Sequence, residues 1–223
     1  MIDPTSLHPP SSWFTQGAVD VYSSRSVAIA NCHFFHNGPV GVVKTDELRG
    51  HAAGLSLGYS ITADEEENLT AIVESCVFYN NSALLADSST SEALNDRVFP
   101  GRGGGLAVLV DSVNHGYRGR YKLAAFSNNF ATEFGGGAFT ELCTLSSSSN
   151  HLITFQTCVF DENGSETHAG GLGIEISGNG NGTESSGVVI RDCVFRGNTA
   201  ECGGGSYLLF TTGDDVILQW SLG

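Results

Sequence analysis

Two aspartates stand side by side in the stretch "TTGDDVI", residues 211 to 217. Paired carboxyl groups suit cleavage of a glycosidic bond, one protonating the leaving oxygen while the other activates water. Asp214 and Asp215 are therefore candidate catalytic residues, and turn aspartates between two strands are the plainer reading. The acidic run "TADEEEN", 62 to 68, could hold Ca²⁺ weakly at the surface, although adjacent carboxylates in one loop ordinarily form a solvated face. No other cofactor is expected. His33 and His36 in "CHFFHN" have the side chains of metal ligands, but three apart on a strand they face opposite ways, so no metal site is expected. "NHGYRGRYK", 114 to 122, gathers Arg118, Arg120 and Lys122, which would meet an anionic glycan if the stretch is more than a solvated loop face.

Cysteine offers a third chemistry. Cys32, Cys76, Cys158 and Cys193 each precede a phenylalanine by two residues, and no Cys-x-x-Cys pair is present to suggest zinc. If the four slots are equivalent, Cys32 neighbours Cys76 and Cys158 neighbours Cys193. Buried free thiols and disulfides both remain open, since strand spacing satisfies the Cα distance of a disulfide but side chains in parallel register rarely reach its dihedral angle.

Composition narrows the partners. The 223 residues carry 24 acidic against 10 basic side chains, a formal net charge of −14, which repels nucleic-acid phosphates and anionic membrane surfaces. No stretch is long and apolar enough to insert directly into a membrane, and the start lacks the pattern of a signal peptide. Asn-x-Ser/Thr occurs at Asn68, Asn80, Asn163 and Asn181, which are candidate glycosylation sites.

The elements that must position these groups follow from a repeat. Aligning Phe34, Phe78, Phe126, Phe160 and Phe195 places Asn37, Asn81, Asn129, Asn163 and Asn198 three residues later each time. Apolar residues lie three and five before the cysteine slot, as Ile29 and Val27 do, and alternation of that kind predicts a strand. The phase slips by one residue before the cysteine, for example at Glu74-Ser75, so a bend is predicted there. Glycines follow the asparagine, as at 103 to 105 and 135 to 137, and a further alternating strand begins after them. Each unit reads as strand, corner, strand, Asn turn, Gly turn, strand. Stacked units give parallel sheets and a right-handed parallel β-helix of about five coils. The phenylalanine and cysteine point inward, and the asparagine occupies a tight turn and bonds along a ladder.

Phe-x-x-Asn followed by Gly-Gly-Ala/Leu, as in "FSNN…GGGAF" and "FDEN…GGL", resembles the repeats of the chlamydial polymorphic outer membrane proteins and of similar pectin-lyase-like β-helix proteins of eukaryotes. The resemblance covers about residues 27 to 210. It implies a β-helix at a cell surface or secreted, used for adhesion or binding of a protein or glycan. Asp214 and Asp215 also resemble the paired aspartates of polygalacturonase-like glycosidases on the same fold. That family carries Asn-Thr-Asp upstream, whereas Asn198-Thr199 here precedes Ala200.

Residues 1–26 read as a tail and the remnant of a preceding coil, 27–210 as the repeats, and 211–223 as the start of a further coil. A piece of a longer surface protein is the expected setting. Two connections between the Asn and Gly turns are long, 40 to 51 and 84 to 102, and should emerge at one corner. Lys44, Arg49, Arg97, Phe99 and Arg102 on them are the candidate binding surface. Charged side chains from three successive coils are not expected to converge, so a binding module is expected ahead of a carbohydrate-active lyase or hydrolase.

Overall fold

The structure, a computed structural model, describes residues 18–23, 26–38, 54–60, 69–83, 101–112, 116–144, 151–178, 186–211 and 216–221. Among these the protein is all-β, and every strand pairing is parallel. Sheet one contains Val27–Ala30, Leu69–Glu74, Tyr117–Lys122, Leu152–Gln156, Ser186–Arg191 and Val216–Ser221. Sheet two contains the short strands His33–Phe35, Val77–Tyr79, Ala125–Ser127, Val159–Asp161 and Val194–Arg196. Sheet four contains Val19–Ser23, Leu55–Ser60, Leu106–Ser112, Ala138–Thr144, Leu172–Gly178 and Ser206–Thr211. These are the strands expected before the corner, after it and beyond the glycines. Sheet three, made of Ser82–Ala83, Phe130–Ala131 and Gly164–Ser165, was not expected, because two residues are too short a run to show alternation. Val19–Ser23 pairs with Leu55–Ser60 and Val216–Ser221 with Ser186–Arg191, so the outlying segments join the same sheets as the repeats.

Each predicted phase slip is one residue in the left-handed region. Asn31, Ser75, Thr157 and Asp192 have φ of 53° to 55°, and Leu123, where the weaker third repeat showed no slip, has φ of 54°. A single such residue turns the chain and resets which side chains face inward, so the pair before it and the phenylalanine after it both reach the core. The turn near the asparagine differs from expectation. The left-handed residue is the one before it, His36, Asn80, Asn128, Glu162 or Gly197. The asparagine itself is turned inward, where its amide serves hydrogen bonds.

Five phenylalanines form one column. Phe34, Phe78, Phe126, Phe160 and Phe195 are register partners, with ring centroids 4.8 Å apart and planes within 7° of parallel. Strand spacing dictates that distance, since side chains on successive strands repeat at the hydrogen-bonding interval. Burying such a ring contributes roughly 1.5 to 3 kcal/mol. Beside it runs the asparagine ladder. Asn129 Nδ2 donates to Asn163 Oδ1 at 2.9 Å and to Phe78 O at 2.9 Å, while its backbone N–H donates to Asn163 Oδ1 at 3.0 Å. Asn81, with Asn129 above it, and Asn163, with Asn198, repeat the set, so both amide ends are satisfied in a dry interior.

The glycines separate into two duties. Gly103, Gly135 and Gly203 have φ of 65° to 70°, and Ala169 takes this position in one repeat. The next glycine permits close approach: a Cβ on Gly136 would lie 2.1 Å from the carbonyl oxygen of Gly164. The sheet strands that follow send Leu55, Leu106, Ala138 and Leu172 into the core that sheets one and two share. Tyr117 and Tyr121 also lie in it, with hydroxyl oxygens 2.8 Å apart, and Gly119 between them leaves room, since a Cβ there would meet both rings at 3.0 Å.

Candidate functional site

Outside the core, the residue before each glycine run forms its own column. Arg102, Phe134, His168 and Cys202 pair in parallel, one per repeat. They lie over the outward residues of sheet four, Ala107, Phe139, Gly173 and Tyr207, which are register partners. Phe134 stacks on His168 with centroids 4.7 Å apart, and Tyr207 tilts against both. Phe139, on the outward face, is nevertheless fully buried.

Arg102 organises the polar part. Its guanidinium carbon lies 5.3 Å from the Phe134 centroid and 5.1 Å from that of Phe139. Its Nε donates to Glu133 Oε2 at 2.7 Å, and Nη1 reaches Glu141 Oε2 at 3.1 Å and Glu175 Oε2 at 3.5 Å. The Arg102 side chain is 10% exposed, against 24%, 17% and 20% for the three carboxylates. Burial opposes the guanidinium charge, but the Glu133 hydrogen bond and the charges of Glu141, Glu133 and Glu175 outweigh it and raise its pKa. Glu141 is itself held above the ordinary carboxylate range, chiefly by burial, which the charge of Arg102 only partly offsets and to which Glu175 adds a smaller repulsion. One cation thus gathers three anions on one face, two from the next repeat and one from the repeat beyond it.

Two expectations change here. Arg102 was expected as an exposed anchor on a surface loop, yet it is buried and ion-paired, because the chain re-enters a parallel bridge at this residue. Charged side chains from three successive repeats do converge, contrary to the sequence reading. Aligning the repeats on their glycines instead of their phenylalanines would have exposed the column, and so would reading the outward positions Glu141 and Glu175, two residues beyond Phe139 and Gly173. Lys44, Arg49, Arg97 and Phe99, the catalytic candidates Asp214 and Asp215, and the acidic run 62 to 68 lie outside the described residues.

The remaining candidates distribute as follows. Arg118 and Arg120 project outward from strand Tyr117–Lys122, not from a loop, and Lys122 Nζ lies 3.8 Å from Glu74. His33 and His36 do not face opposite ways, because the left-handed φ of His36 breaks the alternation. His33 contacts Phe35 and His36 contacts Tyr79, whose rings meet edge to face on the outside of sheet two. Among the described residues no group of His, Cys, Asp and Glu is arranged to hold a metal. Cys32, Cys76, Cys158 and Cys193 are thiols with no disulfide, stacked as expected, with Val77 N–H donating to Cys32 O and Val194 N–H to Cys158 O, and with Ala124 separating the two pairs. The hydrogen-bonding contact with Cys193, then burial, pushes the Cys158 thiol up. Asn163 is fully buried, with its Nδ2 engaged by Phe126 O and Asn198 Oδ1, so a glycan there is incompatible with the fold. Asn80 is exposed, and Asn68 and Asn181 lie outside the described residues.

Among the described residues no helix is long and apolar enough to cross a membrane. No family model matches the chain, and neither a curated protein nor a solved structure matches it.

Proposed function

We propose that the chain is a right-handed parallel β-helix serving as a non-catalytic binding or adhesion module of a longer extracellular or cell-surface protein. It takes a protein or glycan ligand on the outer face of sheet four. In-register parallel strands joined by one-residue corners support the β-helix, and the crossover preference supports its hand. The resemblance of the Phe-x-x-Asn and Gly-Gly-Ala/Leu repeats to those of the polymorphic outer membrane proteins supports the setting. The observation that carries the function is the convergence of Glu133, Glu141 and Glu175 around Arg102, beside His168 and Tyr207. Three carboxylates against one guanidinium leave negative charge on a rigid face next to partly exposed aromatic rings, which suits recognition by hydrogen bonding and ring contact. Every one of these carboxylates is held by Arg102, which favours binding over proton transfer.

A second reading rests on Glu141. Its raised carboxyl, with Glu175 on the neighbouring strand, has the form of an acid–base pair for polysaccharide cleavage. One set of measurements separates the two. Immobilised protein is screened against glycan arrays and cell-surface proteins, in parallel with Glu175→Gln combined with Tyr207→Ala. Binding reduced tenfold or more at unchanged melting temperature is expected, and equal binding by the double variant would remove the face from consideration. Reducing ends or unsaturated products released from polygalacturonate, and lost in Glu141→Gln, would replace binding by the enzymatic reading.

A further inference from the structure

The two described sequons differ by one slot. In "NNS", 80 to 82, the acceptor is the left-handed residue before the ladder, with φ of 52°, and it is exposed. In "NGS", 163 to 165, the acceptor is the ladder residue itself and is fully buried. The same Asn-x-Ser pattern therefore presents its amide to solvent in one repeat and buries it in another.

Around Asn80 lies an apolar surface that sheet two leaves uncovered. Phe35 is 45% exposed and Tyr79 39%, their centroids 6.2 Å apart in an edge-to-face arrangement, with the exposed rings of His33 and His36 beside them. Asn80 Nδ2 sits 2.7 Å from His36 Nδ1, which contacts Tyr79, so the amide is fixed at the margin of this patch. The other repeats place Ser127, Asp161 and Arg196 at the position of Phe35 and Tyr79, and Arg196 pairs with Asp161 at 2.7 Å. Aromatic exposure thus coincides with the repeat that carries the exposed sequon.

We propose that Asn80 is an N-glycosylation site and that the first sugars of its glycan pack over Phe35 and Tyr79. This rests on the extracellular setting proposed above. In the transfer, Asn80 Nδ2 forms a bond to the anomeric carbon of an oligosaccharide carried on a lipid diphosphate. The carbon–oxygen bond to the diphosphate breaks, the lipid diphosphate leaves, and Nδ2 gives up one proton. The amide keeps its second N–H, so the bond to His36 survives. The apolar C–H face of a pyranose complements an aromatic ring, and attachment at the margin of the patch holds it there at little further entropic cost.

The test uses the full chain routed through a eukaryotic secretory pathway by an added signal sequence, with peptide mass spectrometry as the readout. Glycan on the peptide containing Asn80 is expected, with Asn163 bare in folded protein. Asn80→Gln and Ser82→Ala should each remove one glycan, the latter keeping the Asn80 side chain. The glycan should raise the melting temperature, and Tyr79→Ala, or Phe35→Ala should that variant fail to secrete, should cut this rise by half or more. A bare Asn80 in the secreted protein overturns the site, and a rise untouched by both ring variants overturns the packing. Retention of the native protein inside its source cell would instead count against the extracellular reading, leaving the site assignment from the routed protein intact.

Discussion

The inner column of phenylalanine and asparagine and the outer column around Arg102 are built on the same repeats and obey opposite rules. Inside, one residue type recurs at each level, and identical neighbours satisfy each other: ring on ring, amide on amide. Outside, Arg102, Phe134, His168 and Cys202 occupy equivalent positions with four different side chains. Repetition inside follows from geometry, since a dry interior crossed at strand spacing admits few shapes and no unpaired polar group. The outer face has water as an alternative partner, so its composition is free to differ from level to level. A specific site belongs where the repeat is broken, and the Arg102 cluster is such a place.

The largest expected effect breaks the inner column. Phe160 packs between Phe126 and Phe195, and Phe160→Ala should destabilise by about 3 to 5 kcal/mol in denaturant melts. A loss under about 1 kcal/mol would show that the stack does not carry the core. Asn129→Ala comes next, at about 2 to 4 kcal/mol, because it removes the Nδ2 donor to Phe78 O and the acceptor of the Asn81 backbone N–H and of one of its two Nδ2 N–H groups in a buried place. Restoration of stability by a neutral apolar residue of similar size would argue that packing, not the amide ladder, holds this column.

The outer column should be more forgiving. Arg102→Ala strands three carboxylates that remain partly solvated, so a loss of about 1 to 3 kcal/mol is expected, below that of a fully buried pair. Without the guanidinium the Glu141 carboxyl rises further above its unfolded value. This part of the deficit should therefore be fullest at neutral pH, shrink as the pH falls through the raised Glu141 value of the variant, and be gone below the raised value of the parent, which still lies above the ordinary carboxylate value of about 4. A deficit that does not vary with pH would mean that Arg102 acts through its contacts with Phe134 and Phe139 alone.

The smallest effect distinguishes inner polar groups from outer ones. Burial pushes the Tyr121 hydroxyl up to about 12, and Tyr117 is raised as well. Because the folded value exceeds the unfolded value of about 10, the stabilisation is complete below that pH and is lost as the pH climbs through the folded value. Tyrosinate absorbance should appear together with loss of the β-sheet circular dichroism signal. Tyr121 ionising near pH 10 in protein that stays folded would show the ring to be wetter than the structure has it.

Strands, corners and inward positions were legible because Phe, Asn, Cys and Gly recur at fixed offsets, and each offset has one physical meaning. The single-residue slip before the cysteine slot announced a bend at Asn31, Ser75, Thr157 and Asp192, and the structure adds Leu123 and shows each bend to be one left-handed residue. The offset from Phe160 placed Asn163 in the ladder slot and left Asn80 one residue before it, but that the slot turns its amide inward was not legible, since it follows from the left-handed residue upstream. Nor was the Arg102 cluster, whose members are spread from residue 102 to 207 and share no repeated type. By itself the sequence determined the repeating unit, because local alternation and glycine chemistry act within a few residues. The tertiary structure alone decided which charges meet and which amide is buried. Both depend on how successive repeats are registered against one another, and that register is set by pairing between residues more than thirty apart.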